Sequence, residues 1–282
     1  MNQLSEKTSG NQVASLFSLT EKVIVVTGGT GILGGSFCQG ICEAGGRVVL
    51  LGRNREVGEE RTEQLRQAGG DVLFIQADVL NEDELNQACE EVLQTYGRID
   101  GLVNGAGGNI PQAVIGPDQD IFQVNLPALR QAFDLNLYGT ILPTVVFGRH
   151  LTEKGGSIVN ISSMAAQTAI TRVLGYSMAK AAVDNFTRWM SVELAQRYGD
   201  KIRMNAIAPG FFVTHQNRRL LTNEDGTYTA RGEAVIRNTP YKRFGEPDEL
   251  IGTLIWLLSD ASRFVSGEVI CVDGGFHIFS GV

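Results

Sequence analysis

Apolar residues in this chain come in short unbroken runs, each followed by a longer amphipathic stretch. The segments 23–27 (VIVVT), 47–51 (RVVLL), 71–76 (DVLFIQ), 99–103 (IDGLV), 157–161 (SIVNI), 202–207 (IRMNAI) and 268–272 (EVICV) read as strands. Between them, 32–44, 55–68, 82–96, about 126–150, 176–198 and about 247–258 carry helical spacing. Strands that are apolar on both sides are buried on both faces, which calls for a parallel sheet with helices above and below. Right-handed crossovers then give an α/β fold, a single-domain Rossmann-type doubly wound parallel sheet with helices on both faces. Two segments stand outside this rhythm. Residues 1–20 read as a loose polar leader around Val13, Leu16 and Phe17, so the domain is taken as 21–282. Residues 214–240 are polar and irregular. A stretch of that length in a compact domain suggests a functional insertion, here a lid at about 211–240.

Composition narrows the function. A net charge of −7 over 282 residues argues against nucleic acid as a partner. No apolar run is long enough to span a bilayer, and MNQLSEKTSGNQ lacks the basic-then-apolar order of a secretion signal. The expectation is a cytoplasmic protein without a membrane partner. Cys38, Cys42, Cys89 and Cys271 form no C-x-x-C pair and have no histidine at ligand spacing, so no metal site is expected.

The loop between the first strand and first helix is Thr27-Gly-Gly-Thr-Gly-Ile-Leu-Gly34, in which Gly29, Gly31 and Gly34 spell G-x-G-x-x-G. Between a strand and a helix, this pattern lets the backbone approach a pyrophosphate at the helix N-terminus. Gly28, Thr30, Gly31, Ile32 and Leu33 are the candidate contacts. The second strand ends in Leu51-Gly52-Arg53-Asn54, without the acid that holds the ribose hydroxyl of NAD. Arg53 suits a 2′-phosphate, which favours NADP, while Glu56 keeps NAD open. Asp78 and Val79 follow the third strand, where adenine would lie, and Asp78 could equally cap the next helix. Asn104, Ala106 and Gly107 form a small-residue turn after the fourth strand that admits a cofactor.

Tyr176 and Lys180 stand four residues apart on one helix face. Ser163 lies just past the fifth strand and Asn136 in the helical stretch before it. Each is ordinary alone, but together, at the carboxyl ends of a parallel sheet, they form a chemical site. These residues, with TGGTGILG at 27–34, NGAG at 104–107, NLYG at 136–139, NISS at 160–163, YSMAK at 176–180, PGFFVT at 209–214 and VDGG at 272–275, resemble the short-chain dehydrogenase/reductase family over about 21–278. Two departures stand out: the loop glycine falls at Gly31 where the family has it at the position of Ile32, and the family's NNAG reads NGAG here.

The resemblance implies a catalytic set of Asn136, Ser163, Tyr176 and Lys180, with Tyr176 as general acid/base, Ser163 on the substrate oxygen, Lys180 on the nicotinamide ribose and Asn136 holding a relay water. It implies cofactor contacts from Tyr176, Lys180, Pro209, Gly210, Phe212 and Thr214, and a homotetramer or homodimer. A tyrosine titrates near ~10 when free, and the Lys180 ammonium with an oxidised nicotinamide is expected to bring Tyr176 down.

The substrate must be read from the groups above the sheet. Asn109, Arg172 and the polar, cationic lid with His215, Asn217 and Arg218 point to a small hydroxylated acid rather than a steroid. GAGGN at 105–109, the lid sequence and the ending VDGGFHIFSGV resemble the D-mannonate oxidoreductase (fructuronate reductase) branch of the family. That implies Arg172 or Arg218 on the carboxylate, and Asn109, His215 and Asn217 on the hydroxyls. The alternatives are another polyol or sugar-acid dehydrogenase of the gluconate 5-dehydrogenase type, and a non-catalytic NAD(P) sensor. The complete catalytic set argues against the sensor.

Overall fold

The computed structural model describes residues 12–214 and 217–282. Its strands are β1 (Val23–Thr27), β2 (Arg47–Gly52), β3 (Val72–Gln76), β4 (Gly101–Asn104), β5 (Gly156–Ile161), β6 (Ile202–Pro209) and β7 (Val269–Val272). They form one parallel sheet in the order β3-β2-β1-β4-β5-β6-β7. The order reverses between β1 and β4, so a crevice opens at their carboxyl ends, where such sheets bind ligands.

Alternation along β1 builds two cores. Ile24 and Val26 join α2 (Ile32–Glu43), α3 (Arg55–Gln67) and α11 (Ile251–Leu258) through Phe37, Ile41, Leu65 and Leu254. Val23 and Val25 face α4 (Glu82–Tyr96), α6 (Gly139–Gly148), α7 (Leu151–Lys154) and α8 (Leu174–Tyr198) through Leu85, Val92, Phe147, Leu151 and Met190. Phe37, Phe147 and Leu50 are fully enclosed, each such side chain contributing about 2–3 kcal/mol.

Three segments differ from the sequence reading. Within the expected loose leader, Gln12–Phe17 forms a short helix, α1, and Leu19 behind it is fully buried. The single helix expected over 126–150 is α5 (Leu126–Phe133) joined to α6 by a π-helical turn, Asp134–Tyr138. Periodicity cannot detect one extra residue per turn. The irregular lid contains α9 (Arg218–Leu221) and α10 (Ala230–Asn238), packed on a small core of Leu221, Val235 and Phe244. Among the described residues, no helix is long and apolar enough to cross a membrane.

Beneath the crevice, a buried polar chain ties the two central strands to the helices. The Asn104 amide donates to Thr144 Oγ1 (2.9 Å) and to Asn160 Oδ1 (2.8 Å), and the Asn160 amide donates to Thr187 Oγ1 (2.8 Å). Replacing one member strands the others without water. Asn160→Leu is therefore expected to destabilise the fold by about 2–3 kcal/mol, read as a lower urea midpoint with an unchanged slope.

Candidate active site

The glycine loop is held by contacts on both sides. Gly28 adopts φ +69°, and a Cβ on Gly34 would stand 2.2 Å from the Gly28 carbonyl oxygen, so neither position admits a side chain. The Thr27 hydroxyl accepts from the amides of Gly105 (3.1 Å) and Ala106 (3.2 Å), which fixes the 104–107 turn beside the loop. From the other side, Arg61 Nη1 donates to the carbonyls of Gly29 (2.6 Å) and Gly31 (2.5 Å). Gly31 is the N-cap of α2 and no side chain caps that helix, whereas Asn54, Asn81 and Asn125 cap α3, α4 and α5. The first amides of α2 are left facing the crevice, as an anion site requires.

That crevice, about 330 Å³, is lined by Gly28, Thr30, Gly31, Ile32, Leu33, Arg53, Val79, Ala106, Gly107 and Thr214. The cradle that extra Cβ atoms would fill, and the uncapped helix, fit a dinucleotide. Asn104 lies beneath it, its side chain committed to the buried chain described above. Asp78 pairs with exposed Arg53 at 3.8 Å. It does not cap α4: Asn81 does, accepting from Asp83 (3.1 Å) and Glu84 (3.3 Å). At the end of β2, a Cβ on Gly52 would meet Thr30 Cγ2 at 2.6 Å, so no acidic side chain has room there.

A second cavity of about 210 Å³ adjoins the first, sharing Leu33, Gly105, Gly107 and Thr214. Ser163, Tyr176, Lys180, Asn109, Pro209, Gly210, Phe212 and Asn217 line it. The parallel sheet brings these together because β4, β5 and β6 all end on this side. Asn136 sits in the π-helical turn, fully buried, and clamps Gly108: its Oδ1 accepts the Gly108 amide (2.9 Å) and its Nδ2 donates to the Gly108 carbonyl (2.9 Å) and to Ala132 (2.8 Å). Both amide hydrogens of Asn136 are thereby used. A Cβ on Gly107 would stand 2.8 Å from Asn136 Oδ1 and 3.2 Å from Lys180 Nζ, so the turn passes directly over both.

Lys180 is buried, donates to the Ile161 carbonyl (2.6 Å), and lies 5.7 Å from the Tyr176 ring centre. Burial brings its pKa down to about 8 from the ordinary 10.5, with Asp184 pulling the other way. Asp184 is itself buried and hydrogen-bonded by Ser162; burial raises it. Tyr176 departs from the sequence expectation. Burial pushes its phenol up, and the hydrogen bond with Ser163 only partly offsets this. Desolvation of the phenolate outweighs that hydrogen bond in the protein alone. The Ser163 hydroxyl also accepts the Ala165 amide (3.1 Å), which fixes its direction.

The remaining candidates divide. Asn217 lines the cavity, but its amide braces the lid entrance, accepting from Thr214 (2.7 Å) and donating to the Phe212 carbonyl (2.8 Å). Arg172 and Arg218 are exposed and lie outside the lining. His215 lies outside the described residues. The cavity wall is less polar than the lid sequence suggested: Phe211, Leu220 and Leu221 line it, while Asn223–Tyr228 form an exposed turn.

Comparison with known proteins agrees with this geometry. The family model described as Enoyl-(Acyl carrier protein) reductase matches residues 31–277. The chain belongs to the short-chain dehydrogenase/reductase family. It is 41% identical over 275 residues to an uncharacterised oxidoreductase of Bacillus subtilis, UxuB, covering 94% of this chain and 98% of that protein. A solved protein of Haemophilus influenza, provisionally named D-mannonate oxidoreductase and holding NAD, superposes with a TM-score of 0.88 at 37% identity, covering 96% of this chain and 100% of that one. The gluconate 5-dehydrogenase of Burkholderia cenocepacia, solved with NADP and tartrate, gives 0.83 at 30% identity, covering 94% and 98%. As a member of this family, the protein is an NAD(P)-dependent oxidoreductase acting on alcohol groups.

Three residues at the site escaped the sequence reading. Arg231 lines the second cavity, Arg61 clamps the glycine loop and Asp184 stands behind Lys180. Arg61 and Asp184 lie on charged or mixed helices, where such residues read as solvated surface. Arg231 had a usable signal: Thr229 caps α10 by accepting the Gly232 amide (3.1 Å), with Glu233 in its first turn.

Two outcomes are expected. Tyr176→Phe should abolish turnover and leave the dissociation constant for NAD(P) within a few-fold, measured by fluorescence titration; equal loss of both would contradict the acid/base role. In the ligand-free protein, folding carries the full cost of burying protonated Lys180 below pH 8. That cost fades as pH rises from about 8 towards 10.5, because the folded chain sheds this proton first. The stability that Lys180→Met gains over the wild type should therefore be largest below pH 8 and shrink across that window, measured by urea unfolding.

Proposed function

We propose that the protein interconverts a hydroxyl and a ketone on a sugar acid, with D-mannonate and D-fructuronate as the leading pair. One observation carries the reading: Ser163, Tyr176 and Lys180 face the same cavity as Asn109, Asn217 and a guanidinium. A polyhydroxylated anion matches that mixture better than a steroid or acyl chain, since each polar group needs a partner once water leaves. The provisional name of the Haemophilus protein and the tartrate held by the Burkholderia enzyme point the same way.

In this reading Ser163 donates to the substrate oxygen. Tyr176 Oη accepts the hydroxyl proton during oxidation and returns it during reduction. Lys180 Nζ keeps its bond to Ile161 and turns its other hydrogens to the nicotinamide ribose. Bound nicotinamide supplies the hydride acceptor or donor. Asn136 holds the 107–108 turn in place between them. Arg53, beside a strand end with no room for an acid, is available to a 2′-phosphate, which supports use of NADP. We also take the active form to be a cytoplasmic homo-oligomer, a dimer or tetramer.

Purified protein mixed with D-mannonate and NAD or NADP should generate the absorbance of reduced nicotinamide with at least one of them. Silence on D-mannonate with turnover of D-gluconate would move the assignment to the gluconate 5-dehydrogenase type. Silence with every sugar acid would overturn the substrate class.

A further inference from the structure

We infer that Arg231 is the receptor for the substrate carboxylate, set as a two-pronged donor by the strained turn at Thr171–Arg172. The inference rests on the sugar-acid reading above and names the group that carries its specificity. Arg231 projects from the first turn of α10 and lines the cavity that holds Ser163 and Tyr176. It is partly buried, yet its hydrogen-bond partners among the described residues are neutral: Nη1 donates to Thr171 Oγ1 (3.3 Å) and Nη2 to the Thr171 carbonyl (3.2 Å). No carboxylate among the described residues lies within ion-pair distance of it, whereas Arg98, Arg197 and Arg243 each have one. A guanidinium has five N–H donors, so several remain for a ligand.

The neighbourhood is arranged to want an anion. Arg172 lies close enough for its charge to act on Arg231, and burial and Arg172 both push the Arg231 pKa down. A lone cation is therefore disfavoured at this position, and an incoming carboxylate relieves both effects. The backbone of Arg172 has φ +76°, uncommon for a residue with a side chain. That turn is pinned by the Ile115 amide, which donates to the Arg172 carbonyl (2.9 Å). Strain held in place this way fixes where Thr171 meets Arg231, and so where the free edge of the guanidinium points. Arg172 thus supplies field and geometry, and Arg231 the contact.

The test compares D-mannonate with D-mannitol, which carries a hydroxymethyl group where mannonate has its carboxylate. With saturating NAD(P), Arg231→Gln should lower the ratio of kcat/KM for mannonate over mannitol on the order of 10- to 100-fold, mainly through the mannonate KM. Arg231→Lys, keeping charge without the fork, should restore part of it. An unchanged ratio in Arg231→Gln would overturn the inference and return the carboxylate to another cation. Should Arg231→Gln fail to fold by circular dichroism, Arg231→Lys carries the same comparison. Calorimetric titration of the cofactor complex with D-mannonate, D-gluconate and tartrate separates the two levels of the argument. If the wild type binds a carboxylate that Arg231→Gln does not, Arg231 is the receptor even where D-mannonate is not turned over. If the wild type binds none, the sugar-acid reading and the inference fall together.

Discussion

Lys180 carries its amine into a place almost shut off from water, and much of the surrounding structure is organised around that group. The Ile161 carbonyl at the end of β5 takes one of its hydrogens, and the 107–108 turn passes directly over it. One turn further along α8, Asp184 offers opposite charge and is itself held by Ser162. The amine is neither free to swing nor firmly paired, and it sits near the pKa at which it can be charged or neutral in ordinary buffers. The same helix turn carries Tyr176, so the position of its phenol is inherited from the position of the lysine. The π-helical turn completes this frame. By adding one residue to α5–α6 it presents Asn136 to the backbone of Gly108, fixing the turn beside Lys180.

The sheet was legible because continuous apolar strands have no other stable home than a doubly covered parallel layer. Helix α4 was legible as well, its bounds read at 82–96 from amphipathic spacing. The meeting of Asn136, Ser163, Tyr176 and Lys180 was legible because a parallel sheet gathers such residues at its strand ends. What escaped detection follows a physical rule. Asn104 was read as part of a cofactor turn, and its side chain has a second task in the core that sequence does not reveal, since sequence does not say which way a side chain leaves a strand end. Asp78 looked like a cap and yielded that role to Asn81, three residues on. The lid was read as polar because its sequence is polar, but a short helix sorts its residues by face. Leu221 turns inwards, Leu220 stands at the rim of the cavity, and the charged turn faces solvent. Arg231 was hidden for the same reason, one arginine among several until α10 selected it.

Tyr176 marks where sequence chemistry stops. Proximity of a lysine to a tyrosine suggests a lowered phenol, and the two do stand together. The cavity that brings them together also removes water from the phenolate, and in the protein alone that loss dominates.

The small core of Leu221, Val235 and Phe244 has a consequence for how such a protein diversifies. The lid packs on its own apolar cluster, with Phe212 tying its entrance to one of the two large cores. Substitutions that reshape α9 or α10 act first on three buried side chains and their few neighbours. A lineage built this way can change which molecule it accepts in small steps while the hydroxyl–ketone machinery and the dinucleotide crevice stay as they are. The fold separates the part of the enzyme that must be kept from the part that is free to vary.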